Sequence, residues 1–289
     1  MSKYDYQNSY NKVCKILDDG EDVEVNLTNL VVEKADKEQH KKVNYVIKKQ
    51  NEQYLHNQLG NFYLYFYEVA KDLEPQYLFR FIYLCTFMNY DGYLITGETK
   101  GTKKVIEKDL QKLLRLSERE TRNTKNVLRD LGLLEIDDNG NIKINSSVAK
   151  KGAIKGIKKD DFSRVFIDGV RDLYENHKPI EHKRLGLFIK MLPYVNYHHN
   201  VLCSLDTVQE REVVNINPLT FEEIAELLGY STRQIKRFQQ DLLSIRVMGK
   251  CVVLIAMRGN KTTVSINPCI YYKGNNIDDL KALINLFSM

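Results

Sequence analysis

Arg233, Lys236, Arg237 and Gln240 fall at i, i+3, i+4 and i+7, the spacing that gathers four side chains on one face of an α-helix. Guanidinium and amide groups suit base-pair edges: arginine can bond guanine at two points, and glutamine or asparagine can do so with adenine. The same spacing and chemistry recur at Arg119, Arg122, Asn123 and Asn126. The chemistry these eight residues could do is recognition without bond making, by reading duplex DNA in the major groove.

Such faces need elements to present them. Around the second, Thr220 to Ile245 reads TFEEIAELLGYSTRQIKRFQQDLLSI. Thr220 and Glu223 have the spacing of a capping box, and Ile224, Leu227 and Leu228 form an apolar stripe behind them. Gly229 suits a helix end, where a left-handed residue is often needed. Ser231 is placed to cap the next helix and is a candidate DNA contact at the start of its polar face, with Ile235, Phe238 and Leu242 behind it. This pattern predicts a helix-turn-helix. A shift of 114 residues superposes Leu113-Leu114 on Leu227-Leu228, Ser117 on Ser231, Arg119 on Arg233, Arg122 on Lys236 and Leu128 on Leu242. The earlier copy has its own capping-box pair, Ser117 and Glu120, and an apolar side of Thr121, Thr124, Leu128 and Leu131. One polar face is ordinarily a solvated surface; two in equivalent registers point to a repeat.

The segments just C-terminal to the two copies extend the match. Leu133 to Ile136 and Asn141 to Asn145 flank Asp138-Asn139-Gly140, and Cys251 to Met257 and Thr262 to Ile266 flank Arg258-Gly259-Asn260. Both read as β-hairpins, and a helix-turn-helix with a hairpin after it is a winged helix. Arg258 and Lys261 at the second wing tip are candidate phosphate contacts, whereas Asp137 and Asp138 at the first would be repelled by DNA. Ser146 to Lys159, SSVAKKGAIKGIKK, has five lysines, two glycines and no acid. It reads either as a solvated linker or as a segment that tracks phosphates through Lys150 and Lys151.

The remaining chain fits this frame. Glu33 to Gln58 reads as a solvated helix or arm, and Val23 to Val32 as a short strand or a buried patch. Phe62 to Phe66 reads as a strand or the entry to a core. The aromatic run from Pro75 to Asn89 reads as a buried leading helix, core packing being the preferred use of its rings over base stacking. Phe162 to Tyr174 predicts a connecting helix, Ile180 to Leu192 the leading helix of the second copy, and Ile277 to Phe287 a terminal helix. The expected fold is mainly α with small β-hairpin wings. Its parts are a polar arm (1–60), a first winged helix (61–148), a basic linker with connecting helix (149–179) and a second winged helix (180–289).

Composition narrows the rest. A charge of +5, 28% charged and 43% apolar residues are ordinary for a soluble chain. No run approaches the roughly 20 apolar residues of a membrane span, and the N-terminus lacks a signal-peptide stretch, so a cytoplasmic protein without a membrane partner is expected. Five cysteines, all single and without CxxC, predict reduced and mostly buried thiols. No Walker A loop, no GxGxxG after a strand and no GxSxG occurs. His198, His199 and Cys203 lack a fourth partner at zinc-like spacing, and His177 and His182 read as surface residues of a turn around Pro179. The 18 tyrosines lack the histidine cluster that a tyrosine nucleophile of the relaxase kind requires. No enzyme, no metal and no cofactor is expected.

FMNYDGYL (Phe87 to Leu94), KKVIEKDLQKLLRLS (Lys103 to Ser117), KRLGLFIKMLPYVN (Lys183 to Asn196), INPLTFEEIAELLGYS (Ile216 to Ser231) and INPCIYYKGN (Ile266 to Asn275) carry a resemblance. The chain resembles tandem winged-helix DNA-binding proteins of Gram-positive phages, plasmids and integrative elements, over roughly Asn61 to Asn275. That resemblance implies a sequence-specific double-stranded DNA-binding protein that regulates transcription. The alternative is a replication initiator on repeated origin sites, whose arrangement of two winged helices the chain also resembles. A third reading, from a different class, is a winged-helix scaffold for protein interaction. A homodimer and the replication or transcription machinery are the further partners these readings imply.

Overall fold

From Leu78 to Cys85 every residue is buried, because the run LFRFIYLC is apolar on all sides apart from one arginine. A helix of that kind belongs inside a core, and the rest of the fold is arranged around it. The computed structural model describes residues 37–97, 101–152, 163–258, 261–274 and 276–288. The chain divides into two compact units, residues 1–49 and 50–289; the second holds all the candidate site residues. The strand or patch expected at Val23 to Val32 lies outside the described residues.

In chain order the elements are α1 (Lys37–Leu59), β1 (Phe62–Tyr65), α2 (Pro75–Cys85), β2 (Ile95–Thr96), β3 (Lys103–Lys104), α3 (Leu110–Leu114) and α4 (Glu118–Asp130). Next come β4 (Leu134–Ile136), β5 (Ile142–Ile144), β6 (Ala149–Lys150), β7 (Ser163–Phe166), α5 (Ile167–Glu175) and α6 (His182–Lys190). The last third holds α7 (Phe221–Leu227), α8 (Ile235–Ser244), β8 (Arg246–Val247), β9 (Lys250–Cys251), β10 (Val253–Arg258), β11 (Lys261–Ile266) and α9 (Ile277–Leu286). Pro75 sits in the first turn of α2, where its missing N–H costs nothing.

The internal repeat exists in the backbone. In the first copy Leu94 N donates to Ile142 O and Val105 N to Leu94 O; in the second Leu202 N donates to Val264 O and Leu219 N to Leu202 O. Bridges Met88 to Leu94 and Val195 to Leu202 match as well. Each copy therefore runs leading helix, short extended segment, two short helices joined by a turn, and antiparallel hairpin. The hairpins are β4–β5 and the longer β10–β11.

The two copies pack through their leading helices. Gly186 on α6 lies so close to α2 that a Cβ would fall on the Pro75 carbonyl oxygen, well inside contact distance. A three-stranded antiparallel sheet has β1 at its centre between β6 and β7, pairing Tyr65 with Ala149 and Phe62 with Phe166, and Tyr63 of β1 donates its hydroxyl to Ile82 O of α2 at 2.8 Å. Phe166 N also donates to Ile270 O, which ties the segment before α9 onto β7.

Several expectations need correction. The fold is mixed α/β, because β structure extends beyond the two hairpins into this sheet. Residues 163–166 are strand rather than the start of the connecting helix: β-branched and aromatic side chains at Val165 and Phe166 bury against β1, and the helix begins only at Ile167. The expected linker is strand at Ala149–Lys150, with Val148 and Ala149 fully buried; its residues 153–159 lie outside the described residues. The polar arm is helical from Lys37, and its last turns are core, since Leu55 and Leu59 are buried beside Phe166, Tyr272 and Leu280. Cys85 and Cys203 are buried, Cys251 and Cys269 half-buried, and all four unpaired; Cys14 lies outside the described residues. Among the described residues no helix is long and apolar enough to cross a membrane.

Candidate nucleic-acid interface

The second copy presents its polar face with little to occupy it. Thr220 and Glu223 cap α7 reciprocally: Glu223 N donates to Thr220 Oγ1 at 3.2 Å and Thr220 N to Glu223 Oε2 at 2.7 Å. Gly229 ends the helix at φ +77°. Ser231 behaves differently from the N-cap expected of it. Its N–H and its hydroxyl both donate to Gln234 Oε1, at 3.1 and 3.0 Å. The chain makes a 3-10 turn over Thr232–Gln234, and α8 starts only at Ile235. Arg233 stands in that turn; Lys236, Arg237 and Gln240 come after it on α8, and all four are exposed. Arg237 is 85% exposed, and among the described residues its ion-pair partner is Asp241, at 4.0 Å. Phe238 and Leu242 anchor the opposite side, with Tyr230 against Phe238 at 4.9 Å between ring centres. Leu227, expected in the apolar stripe of α7, is half exposed; Phe221 and Ala225 are buried beside Ile224 instead.

The first copy is more self-neutralised. Arg115 occupies the place of Gly229 and takes φ +51°, a left-handed conformation that costs a residue with a Cβ. Its guanidinium lies 3.4 Å from Glu175 on α5. Ser117 accepts from Glu120 N at 3.2 Å, but the Glu120 carboxylate turns to Arg80 at 3.4 Å; only half of the expected capping box forms, because a buried guanidinium competes for the acid. Arg119 and Asn123 are exposed and Asn126 is half-buried. Arg122 is engaged by Glu118 at 2.9 Å. Leu131, expected on the apolar side of α4, is 57% exposed, since the helix ends at Asp130 and the chain turns through Gly132 at φ +67°.

The two hairpin tips differ in charge. The Asp137 carboxylate accepts from the side chain and N–H of Asn141 and from Asn139 N, and these bonds hold it below the usual carboxylate range. Negative charge is thus built into the first tip. In the second, Arg258 and Lys261 are paired across the last rung of β10–β11. Lys150 lies in β6 opposite Leu64, and Lys151 rests over the Tyr90 ring at 5.7 Å.

One buried network escaped sequence reading. Arg80 is 4% exposed in the middle of α2. It donates to Thr124 Oγ1 at 2.9 Å, to Glu120 at 3.4 Å and, from Nε, to His182 Nδ1 at 3.3 Å. It therefore ties α4 of the first copy to α6 of the second. His182 is not the surface residue expected: it is 1% exposed, packed against Phe79 and Tyr174. Burial, then the charge of Arg80, push its pKa down to about 3. Because Arg80 can only donate, Nδ1 is the acceptor and the imidazole is neutral, with its proton on Nε2. Tyr174 stacks on Tyr83 at 3.7 Å and donates to Leu114 O at 2.8 Å, capping α3 from α5. A lone arginine inside an apolar helix was the signal for this cluster.

His198, His199 and Cys203 point to different partners: His198 to Asp279 at 3.6 Å, His199 to Arg211 O at 2.8 Å, while Cys203 is buried. Among the described residues no group of three metal-ligating side chains converges. Two clefts flank α6, one lined by Met191, Leu219 and Ile224 and one by Phe188, Phe238 and Asp241, each of about 10 Å³, room for about one water. The arrangement offers exposed donors on α4, on α8 and in the turn before α8. In comparisons with known proteins, no family model, no curated protein and no solved structure matches the chain.

Proposed function

We propose that the chain is a sequence-specific double-stranded DNA-binding protein with two winged-helix modules, acting as a transcriptional regulator of a phage or other mobile element. The observation that carries this reading is the exposed quartet, Arg233 in the turn before α8 and Lys236, Arg237 and Gln240 on α8, with a capped short helix before them and a six-rung hairpin after them. Matching backbone bonds in the first copy support a duplicated module rather than a chance pattern. The regulatory process and the mobile-element setting rest on the resemblance of the quoted segments.

The second copy is the stronger reader of bases. Its Arg237 meets an acid only at 4.0 Å, whereas Arg122 in the first is held by Glu118 at 2.9 Å. With a site enriched from random duplexes, Arg237→Ala is expected to cost about 1–3 kcal/mol, roughly 5- to 150-fold in Kd, and to relax preference at one or two base pairs. Arg122→Ala should cost less. Fluorescence anisotropy on the enriched site and on scrambled duplex measures both; unchanged affinity and preference for Arg237→Ala would remove the groove assignment. Mapping of bound DNA then separates promoter sites, expected here, from a repeat cluster at an origin.

A further inference from the structure

Two cations at the junction of the copies carry charge that no described carboxylate pairs. Arg171 on α5 donates from Nε to Thr86 Oγ1 at 3.1 Å and from Nη2 to Thr86 O at 3.0 Å, with its guanidinium 4.4 Å over the Phe87 ring. Lys151, just past β6, rests over Tyr90. Thr86 to Tyr90 is a single loop, so one piece of chain seats both cations on its rings. Gly152 fits against the same ring, where a Cβ would approach Tyr90 to 3.0 Å. Both side chains are half-buried, and burial together with the charge of Arg171 pushes the Lys151 ammonium pKa down. Two acids near Arg171 on α5 are occupied: Glu175 faces Arg115 and Tyr83, and Asp172 accepts from Asn176 and from Met248 N. Bracing Thr86 uses two of the five N–H donors of Arg171, which leaves the Nη1 pair unused.

We propose that Lys151 and Arg171 form one seat for a phosphate of the nucleic-acid backbone, between the two base-reading helices in the chain. This rests on the DNA-binding reading above and adds Arg171, which spacing alone does not single out. Two positive centres held in place by aromatic rings suit a compact oxyanion. Both side chains keep part of their surface open to solvent, where a phosphodiester can run past them. It carries position, not sequence.

The test is the salt dependence of binding to a duplex of arbitrary sequence. Lys151→Gln and Arg171→Gln should each flatten the slope of log K against log salt by about 0.9, with the same loss on every sequence. If the unaltered protein binds no duplex, the DNA-binding reading fails; if it binds and Lys151→Gln keeps the full slope, the seat fails while that reading stands. Because Arg171→Gln also loosens Thr86, a second measurement uses the unaltered chain: lysine acetylation read by mass spectrometry, with Lys281 on α9 as reference. Duplex should protect Lys151 relative to Lys281, and orthophosphate at equal ionic strength should protect it much less. Equal protection by orthophosphate would make free phosphate the ligand and overturn the backbone assignment; no protection by duplex would overturn the seat.

Discussion

Arg115 and Gly229 occupy the same place in the two copies, at the turn before the polar helix, and both are left-handed. Glycine takes that conformation freely, while arginine pays about 1 kcal/mol or more for its Cβ. The ion pair of Arg115 with Glu175 is more than one-third exposed on both sides, so it offsets only a few tenths of that. Arg115→Gly is therefore expected to leave stability unchanged or raise it by up to about 1 kcal/mol. Gly229→Ala should lower it by about 1 kcal/mol, and since nothing lies within 4 Å of the added Cβ, that cost is torsional. Urea midpoints of the two variants check the pair; a destabilised Arg115→Gly would mean that the Glu175 contact holds the turn.

At the level of elements, the contact of α2 with α6 depends on the absence of a side chain at one position. A methyl at Gly186 would collide with the backbone of α2 at Pro75, and backbone cannot swing aside as a side chain does. Gly186→Ala should cost at least about 3 kcal/mol and lower Tm by several degrees in thermal circular dichroism. A wild-type Tm would show that the helices are not held this close. Sequence reading placed α2 and α6 as leading helices from their apolar spacing, and placed α7 from its capping box. It could not see that they face each other, because a glycine in a helix reads as a weak position until a neighbour presses on it.

Across the whole molecule, the Arg80–His182 contact makes the two copies share one buried polar cluster, and this has a pH signature. Both folded and unfolded chains hold His182 neutral above about pH 6.5, so the group adds no pH dependence there. Below that the unfolded chain gains a proton that the native chain refuses until about pH 3. Stability must then fall as pH falls, by up to about 2 kcal/mol at pH 5 from this group. Urea denaturation between about pH 7.5 and 5 is expected to show that decline in the wild-type chain and a shallower one in His182→Phe. Parallel curves would mean that His182 protonates in place.

Local pattern pointed to the repeat: apolar spacing, caps, turn residues and, in the first copy, an Asn-Gly hairpin signal act within a few residues, so these elements were legible before their neighbours were known. The exposed face of the second copy was legible in part for the same reason, since helical spacing puts Lys236, Arg237 and Gln240 opposite Phe238 and Leu242, while Arg233 falls in the 3-10 turn before α8. Tertiary structure decided the rest. It drew Ser163–Phe166 into a strand, because β1 was waiting with unpaired backbone groups far earlier in the chain. It buried His182 against Arg80, 102 residues away, and brought Arg171 and Lys151 to one loop. These outcomes depend on what a side chain meets at long range, which no spacing rule within a helix or strand contains.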